Sequence, residues 1–361
     1  MSNSISCGIV GLPNVGKSTI FNALTHNNAL VANYPFATIE PNTGIVNVPD
    51  ERLEVLAALY NSWKIVPSTV KFIDIAGLVS GASQGEGLGN QFLAHIRSCD
   101  AILQVVRVFT DQNVIHVGDS VASPKNDIAV INTELILADL QTVQRRLPKL
   151  QKEAKSDHSL QPLYEALSEV ESTLNSNKPV LTNTHINIDL IADLQLITAK
   201  PTIYLFNLDE QQLGQQDLKN KLQQVVSPQD ALFSCAKLEQ ELLDLDEADA
   251  KELLLSYGQE QSSLINLVRA TYDLLGLQSY LTAGEKEVRA WAIKKGATAP
   301  QAAGVIHSDF ERGFIAAEVV SYQDLVDATS ILKARQAGKV RTEGKDYVMR
   351  SDDVVEFRFN V

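Results

Sequence analysis

The stretch Gly11-Leu12-Pro13-Asn14-Val15-Gly16-Lys17-Ser18 limits what this chain can fold into more than any other. It follows an apolar, strand-like run, Ile5 to Val10, and opens an apolar-periodic segment, Ile20 to Leu24. A G-x-x-x-x-G-K-[ST] match between a strand and a helix predicts a phosphate-binding loop in an α/β domain. Gly11 and Gly16 are expected to allow the backbone angles that turn successive N–H groups toward a polyphosphate. The helix start adds the positive end of its dipole. Asn14, Val15, Gly16, Lys17, Ser18 and Thr19 are the expected nucleotide-binding residues. Lys17 would bridge the β- and γ-phosphates, and the Ser18 hydroxyl would ligate Mg²⁺.

Three further stretches extend this site. Val70-Lys71-Phe72-Ile73-Asp74 predicts a strand running into Asp74-Ile75-Ala76-Gly77, with Asp74 placed for Mg²⁺ and the Gly77 N–H for a γ-phosphate. The segment 33–41, bracketed by Pro35 and Pro41, is unsuited to regular helix and contains Thr38, a candidate second hydroxyl ligand for Mg²⁺. A surface loop around a buried Phe36 is the alternative there. Finally, the β-rich run 201–206 ends in Asn207-Leu208-Asp209-Glu210. Many GTP-binding proteins carry N-K-x-D at such a strand end, the aspartate accepting from guanine N1–H and the lysine packing along the base. Here Leu208 replaces the lysine and Glu210 the aspartate, and Asn207, Leu208 and Glu210 are the residues expected to read the base. The altered motif permits ATP without requiring it. Ser234-Cys235-Ala236-Lys237, after the apolar run 231–233, is a plausible base-side loop or an ordinary strand-to-helix turn.

In this order, these stretches resemble the Obg-like ATPases, specifically the YchF group of translation-factor-related P-loop NTPases. The resemblance rests on GLPNVGKST at 11–19, NYPFATIEPN at 33–42, DIAGLVSGASQGEGLGNQFL at 74–93 and NLDE at 207–210. It continues through LTAG at 281–284, VRAWAIKKGATAPQAAG at 288–304 and HSDFERGFI at 307–315. It implies ATP preferred over GTP, slow hydrolysis and association with the ribosome or its large subunit. Ras-like proteins place a water-orienting glutamine directly after D-x-x-G; this chain has Leu78, which cannot hydrogen-bond water. The resemblance assigns that role to His116, with Gln84 and Glu86 as alternatives in the glycine-rich run 77–89. It also implies a TGS domain at the C-terminus, and a position for Asn14 where some related NTPases hold a monovalent cation.

Composition bounds the remainder. The 361 residues suffice for two or three domains. No run approaches eighteen apolar residues, so no membrane span is expected. Met1-Ser2-Asn3-Ser4 lacks the basic start of a secretory signal. Cys7, Cys99 and Cys235 have no metal-like spacing and are expected as buried reduced thiols, which points to the cytoplasm. The chain holds 31 Lys+Arg against 44 Asp+Glu, a net charge of −13. Such a protein has no general affinity for nucleic acid, so any ribosome contact must use a local patch. Residues 278–361 are neutral and carry candidates in Lys294, Lys295, Lys339, Arg341 and Lys345.

The expected organisation is a discontinuous P-loop domain over 1–127 and 200–277. An inserted helical or coiled-coil hairpin occupies 128–199, where Ile131, Leu135, Leu140, Val143, Leu147 and Leu150 recur at helical spacing. A β-grasp, TGS-like α+β domain fills 278–361, with strands expected near 288–293, 314–320, 347–349 and 354–359. The function expected is a Mg²⁺-dependent ATPase with slow turnover, acting as a nucleotide switch. A GTPase of ribosome assembly and a nucleotide-gated adaptor are the alternatives.

Overall fold

The computed structural model describes residues 5–26, 43–75, 88–110 and 123–360. Thr38, Gly77, Leu78, Gln84, Glu86 and His116 lie outside these described residues. The strands are β1 (Ser6–Val10), β2 (Thr43–Asn47), β3 (Ile65–Val66), β4 (Thr69–Asp74), β5 (Ala101–Arg107), β6 (Thr202–Asn207), β7 (Ala231–Ser234), β8 (Leu277–Ala283), β9 (Val288–Lys294), β10 (Phe314–Ser321), β11 (Arg341–Glu343) and β12 (Asp353–Phe359). The helices that matter below are α1 (Lys17–His26), α2 (Arg52–Tyr60), α3 (Leu88–Ser98), α4 (Pro124–Ser156), α5 (Gln161–Asn175), α6 (Gln216–Val226), α7 (Ala236–Glu241), α8 (Glu247–Ser256), α9 (Ser263–Leu274) and α10 (Ala299–Ile306).

Contacts divide the chain into two units: Ile5–Gly44 with Lys71–Leu267, and Ile45–Val70 with Val268–Val361. The first contains a parallel sheet in the order β4-β1-β5-β6-β7. Every residue of β1 and β5 is buried. A strand covered on both faces needs a nearly continuous apolar sequence, which is what SCGIV and AILQVVR supply, apart from their polar termini and Gln104. In such a sheet the carboxyl ends of the strands gather at one edge, where ligands of open α/β folds bind.

The periodic segment after residue 123 forms the 33-residue α4 and, beyond a short turn at 158–160, the antiparallel-sized partner α5. Proline at the first turn fixes where α4 starts, since its missing N–H has no intrahelical partner there. Val143, Leu150, Leu167 and Val170 are fully buried between the two helices, and Val180, Ile186, Ile191 and Leu196 from the following turns close the same core. Asp139, fully buried in α4, accepts from the N–H groups of Ile197 (2.9 Å) and Thr198 (2.7 Å) and from the Thr198 hydroxyl (2.8 Å). Its carboxylate thereby fixes the end of this returning segment just before β6.

The second unit holds a mixed sheet in the order β11-β10-β12-β8-β9-β3. β8 and β9 form an antiparallel hairpin, β12 runs parallel to β8, and β10 is antiparallel to both β12 and β11. This is the strand order of a β-grasp. The polar run 338–346 contributes the edge strand β11, whereas Tyr347–Met349, expected as a strand, forms only an isolated bridge from Val348 to Thr298. The α10 alanines 299, 302 and 303 pack on one core with Tyr280, Ala317 and Val319.

Residues 45–70 were expected within the nucleotide domain, yet they cluster with the C-terminal sheet. Leu53 and Leu56 of α2 pack against Leu281, Val288 and Ala290, and β3 pairs with Val288 and Arg289 of β9. Two buried leucines on a nine-residue helix need an apolar partner surface, and the second face of the β-grasp sheet provides it.

Replacing Asp139 with alanine strands three buried donors. Its expected cost is roughly 3 kcal/mol of stability, read from urea unfolding of the full chain, with Asp139→Asn costing clearly less because an acceptor remains.

Candidate functional site

The loop between β1 and α1 is the starting point. Gly16 takes φ 91° and Asn14 φ 63°, both left-handed. Glycine does this freely, and asparagine is among the few side chains that tolerate it. Gly11 serves a different purpose from the one expected. Among the described glycines with left-handed φ it does not appear; instead a Cβ there would come within 2.8 Å of Val15 Cγ2 and 2.9 Å of the Val105 carbonyl oxygen. The second and first halves of the loop therefore approach closely across a position that has no room for a side chain. Ile20 donates to the Gly16 carbonyl at 3.0 Å, starting α1 directly behind the loop.

Two side chains from α1 meet the end of β4. Lys17, only 9% exposed, forms an ion pair with Asp74, and the Ser18 hydroxyl donates to the other Asp74 oxygen at 3.2 Å. Parallel pairing of Ile9 with Asp74 brings that carboxylate level with the last residues before the loop. A lysine ammonium, a hydroxyl and a carboxylate thus share one point. Thr19, one residue on, is half-buried.

Asn207 ends β6, and its register neighbours are Arg107 on β5 and Ser234 on β7. Its buried amide has two backbone partners. Nδ2 donates to the Val15 carbonyl (2.9 Å), while Oδ1 accepts from the Ala236 N–H (2.9 Å). Asn207 therefore ties the phosphate loop to the loop after β7. Leu208 departs from the expected base-reading role. It is 1% exposed within a core of Phe206, Leu213, Cys235, Leu238 and Leu242, and its N–H donates to the Ser234 carbonyl at 2.8 Å. Its side chain faces the core, so it cannot lie along a base as a lysine would.

Glu210 remains at the surface of this corner and accepts from Lys237 Nζ at 2.8 Å. The Lys237 hydrogen bond holds the Glu210 carboxyl below its ordinary range, and the same bond holds the lysine above its own. Ser234-Cys235-Ala236-Lys237 is thus brought beside Asn207–Glu210. The buried Glu239 is a member of this corner that sequence reasoning did not assign. No spacing signal marks it, or the pairing of Lys237 with Glu210, because the partners lie more than twenty residues away.

The three cysteines are buried and unpaired with one another, and burial pushes the Cys7 thiol well above its ordinary range. Thiols so placed are unreactive. Among the described residues no cluster of three His, Cys, Asp or Glu side chains could hold a metal ion, and no helix is long and apolar enough to cross a membrane.

Gly16→Ala tests the loop geometry. A Cβ at φ 91° would lie 2.2 Å from Asn207 Nδ2, so strain and loss of the tie act together. Nucleotide affinity is expected to fall on the order of a hundredfold, about 2.7 kcal/mol, in a titration of the folded variant.

Comparison with known proteins agrees with this geometry. A family model described as 50S ribosome-binding GTPase matches residues 6–207, and the C-terminal model of the YchF GTPases, described as a protein of unknown function, matches 277–360. The ribosome-binding ATPase YchF of Bacillus subtilis (strain 168) is 48% identical over 99% of this chain and 100% of its own length. Its counterpart from Haemophilus influenzae is 47% identical over 98% of this chain and 99% of its own. Among solved structures, the Schizosaccharomyces pombe YchF GTPase superposes with a TM-score of 0.86 at 39% identity, covering 99% of this chain and 98% of that one. A GTP-binding protein from Pyrococcus horikoshii OT3, at 19% identity and a TM-score of 0.62, shares the fold. With a phosphate loop, a strand-end carboxylate and an Asn207 tie in place, and with relatives matched end to end, the chain belongs to the YchF family of P-loop nucleotide hydrolases.

Proposed function

We propose that this protein is a Mg²⁺-dependent ATPase of slow turnover that works as a nucleotide switch on the ribosome. The observation that carries the base assignment is the state of the two positions a guanine reader needs. Leu208 is committed to the core, and the Glu210 carboxylate is committed to Lys237. No lysine stem lies along the base, and the Glu210 carboxylate already holds a cation on Oε1. Adenine lacks the N1–H of guanine and requires neither group.

Ser18 and Asp74 fit Mg²⁺ on chemical grounds. They are oxygen donors 3.2 Å apart at the mouth of the phosphate loop, and a magnesium ion in such sites takes only one or two protein oxygens beside waters and phosphate. Bound there, the ion would neutralise charge on the β- and γ-phosphates. Thr38 is proposed as a further hydroxyl ligand and Gly77 as the N–H that senses the γ-phosphate. Lys17 would turn from Asp74 to the phosphates while the loop amides hold the remaining oxygens. Catalysis of this kind is mostly positioning and electrostatics. His116 is proposed to orient the attacking water, because Leu78 cannot.

The ribosome is proposed as partner because the Bacillus subtilis and Haemophilus influenzae relatives are named ribosome-binding and match this chain along its length. With a net charge of −13, the contact would be a local one. The Schizosaccharomyces pombe relative is called a GTPase, which makes guanine the rival base.

Titration of nucleotide-free protein with ATP and with GTP, each in Mg²⁺, tests the base assignment. ATP is expected to bind more tightly, and the ratio to stay constant between about pH 6 and 8, since Glu210 is held ionised and Lys237 protonated across that window. A preference for GTP would make the assembly-GTPase reading the better one. His116→Ala is expected to bind ATP normally and to lose turnover on the order of a hundredfold. Unchanged turnover would move the water-orienting role to Gln84 or Glu86.

A further inference from the structure

Behind the base-side corner lies a buried carboxylate that the reaction as described does not use. Glu239 sits on α7, is 2% exposed, and has three hydrogen-bond donors. Oε2 accepts from the Ser262 hydroxyl at 2.6 Å; Oε1 accepts from the Ser263 N–H at 2.8 Å and from the Ser263 hydroxyl at 2.7 Å. Ser262 also caps α9, its hydroxyl oxygen accepting from the Leu264 N–H at 3.1 Å. The Glu239 charge therefore stands at the positive end of the α9 dipole, whose first turn contains no acidic residue of its own.

The network continues toward the nucleotide. Ser263 Oγ lies 2.7 Å from Ser234 Oγ, and Ser234 is fully buried at the end of β7. The Ser263 hydroxyl has a single proton, so when it gives that proton to Glu239 its oxygen accepts from Ser234. Ser234 is the register neighbour of Asn207, accepts the Leu208 N–H through its carbonyl, and precedes Cys235-Ala236-Lys237. A continuous chain of short hydrogen bonds thus runs from Glu239 through Ser263 and Ser234 to the strand end that carries the Asn207 tie.

Resting on the nucleotide assignment above, we infer that Glu239 is a positioning residue for the base of the bound nucleotide. It holds loop 234–237 from behind, so that Ala236 meets Asn207 and Lys237 meets Glu210, and it does so without touching the phosphates. Truncation leaves three donors pointing into a buried space and releases the loop from α9. Base recognition then loosens, while the phosphate loop keeps its own contacts through Lys17 and Ser18. A side chain that only stabilised the domain would weaken every ligand alike.

Inorganic tripolyphosphate separates these cases, since it fills the phosphate loop and has no base. With the full chain and Mg²⁺, Glu239→Ala is expected to weaken ATP roughly tenfold, the scale of losing hydrogen bonds to a charged group, and to leave tripolyphosphate affinity within about twofold. Glu239→Gln, which keeps the shape and one acceptor oxygen, is expected to restore most of the ATP affinity. Should Glu239→Ala not fold, Ser263→Ala decides: it removes the hydroxyl that bridges Glu239 and Ser234, keeps the Ser263 N–H bond to Glu239, and is expected to weaken ATP about threefold with tripolyphosphate unchanged. Equal losses for both ligands, or no loss for either, overturn the inference. If the unaltered protein binds tripolyphosphate as tightly as ATP or GTP, the base-site reading itself fails, which is a separate result.

Discussion

The site depends on one buried amide. Asn207 joins Val15 to Ala236, residues from loops far apart in the chain, through two hydrogen bonds of 2.9 Å. At this spot a neutral side chain must donate on one side and accept on the other, which Asn does and Asp or Leu cannot. Both bonds are buried, so leaving either backbone group without its partner would carry the full desolvation penalty. The close fit of Gly16 against this amide follows from the same constraint: a methyl group there would occupy the space of Nδ2. The phosphate loop and the base-side corner are therefore one construction held at the carboxyl edge of the parallel sheet.

Charge is arranged around that construction in two layers. Lys17 and Asp74 form an ion pair with side chains 10% and 12% exposed, where water screens them little. Lysine presents a compact charge on a flexible stem and can exchange a carboxylate for a phosphate without the fork geometry arginine demands. Glu210 and Lys237 are a looser pair, the lysine 71% exposed. A pair of that kind contributes little to stability. Its consequence is local, because it sets the Lys237 ammonium beside the Glu210 carboxylate at the base-side corner.

Features written locally were legible in the sequence. The G-x-x-x-x-G-K-S spacing located the Lys17–Ser18 pair, the apolar run 70–74 located Asp74, and the period of the apolar residues from Ile131 to Leu150 located the first helix of the hairpin. The β-grasp strands were partly visible, since β9, β10 and β12 alternate or cluster apolar residues. What was not legible depends on pairings distant in sequence. Residues 45–70 look like the connection of a nucleotide domain, and only the packing of Leu53 and Leu56 on Val288 shows which sheet they cover. Gly11 was assigned a backbone angle when its requirement is the Val105 carbonyl nearby. Serines 234, 262 and 263 carry no motif, and only the fold brings them to Glu239.

Position 208 shows how core packing decides what one side chain can offer at the end of a strand. Strand periodicity puts Tyr204 and Phe206 on one face of β6, Leu208 just beyond the strand continues that face, and all three belong to the cluster that also holds Cys235 and Leu238. Asn207, between them, faces the loops. A residue at 208 that follows the strand's alternation must enter this core, and a leucine there gains about 1.5–3 kcal/mol from burial. A lysine at the same place would have to leave the core or bring its charge into it, at considerable cost. Leucine resolves this conflict in favour of packing, and in doing so removes the stem that would lie along a guanine. The absence of a charged stem at this corner and the gain of a buried contact are thus two consequences of the direction in which a single Cα–Cβ bond points.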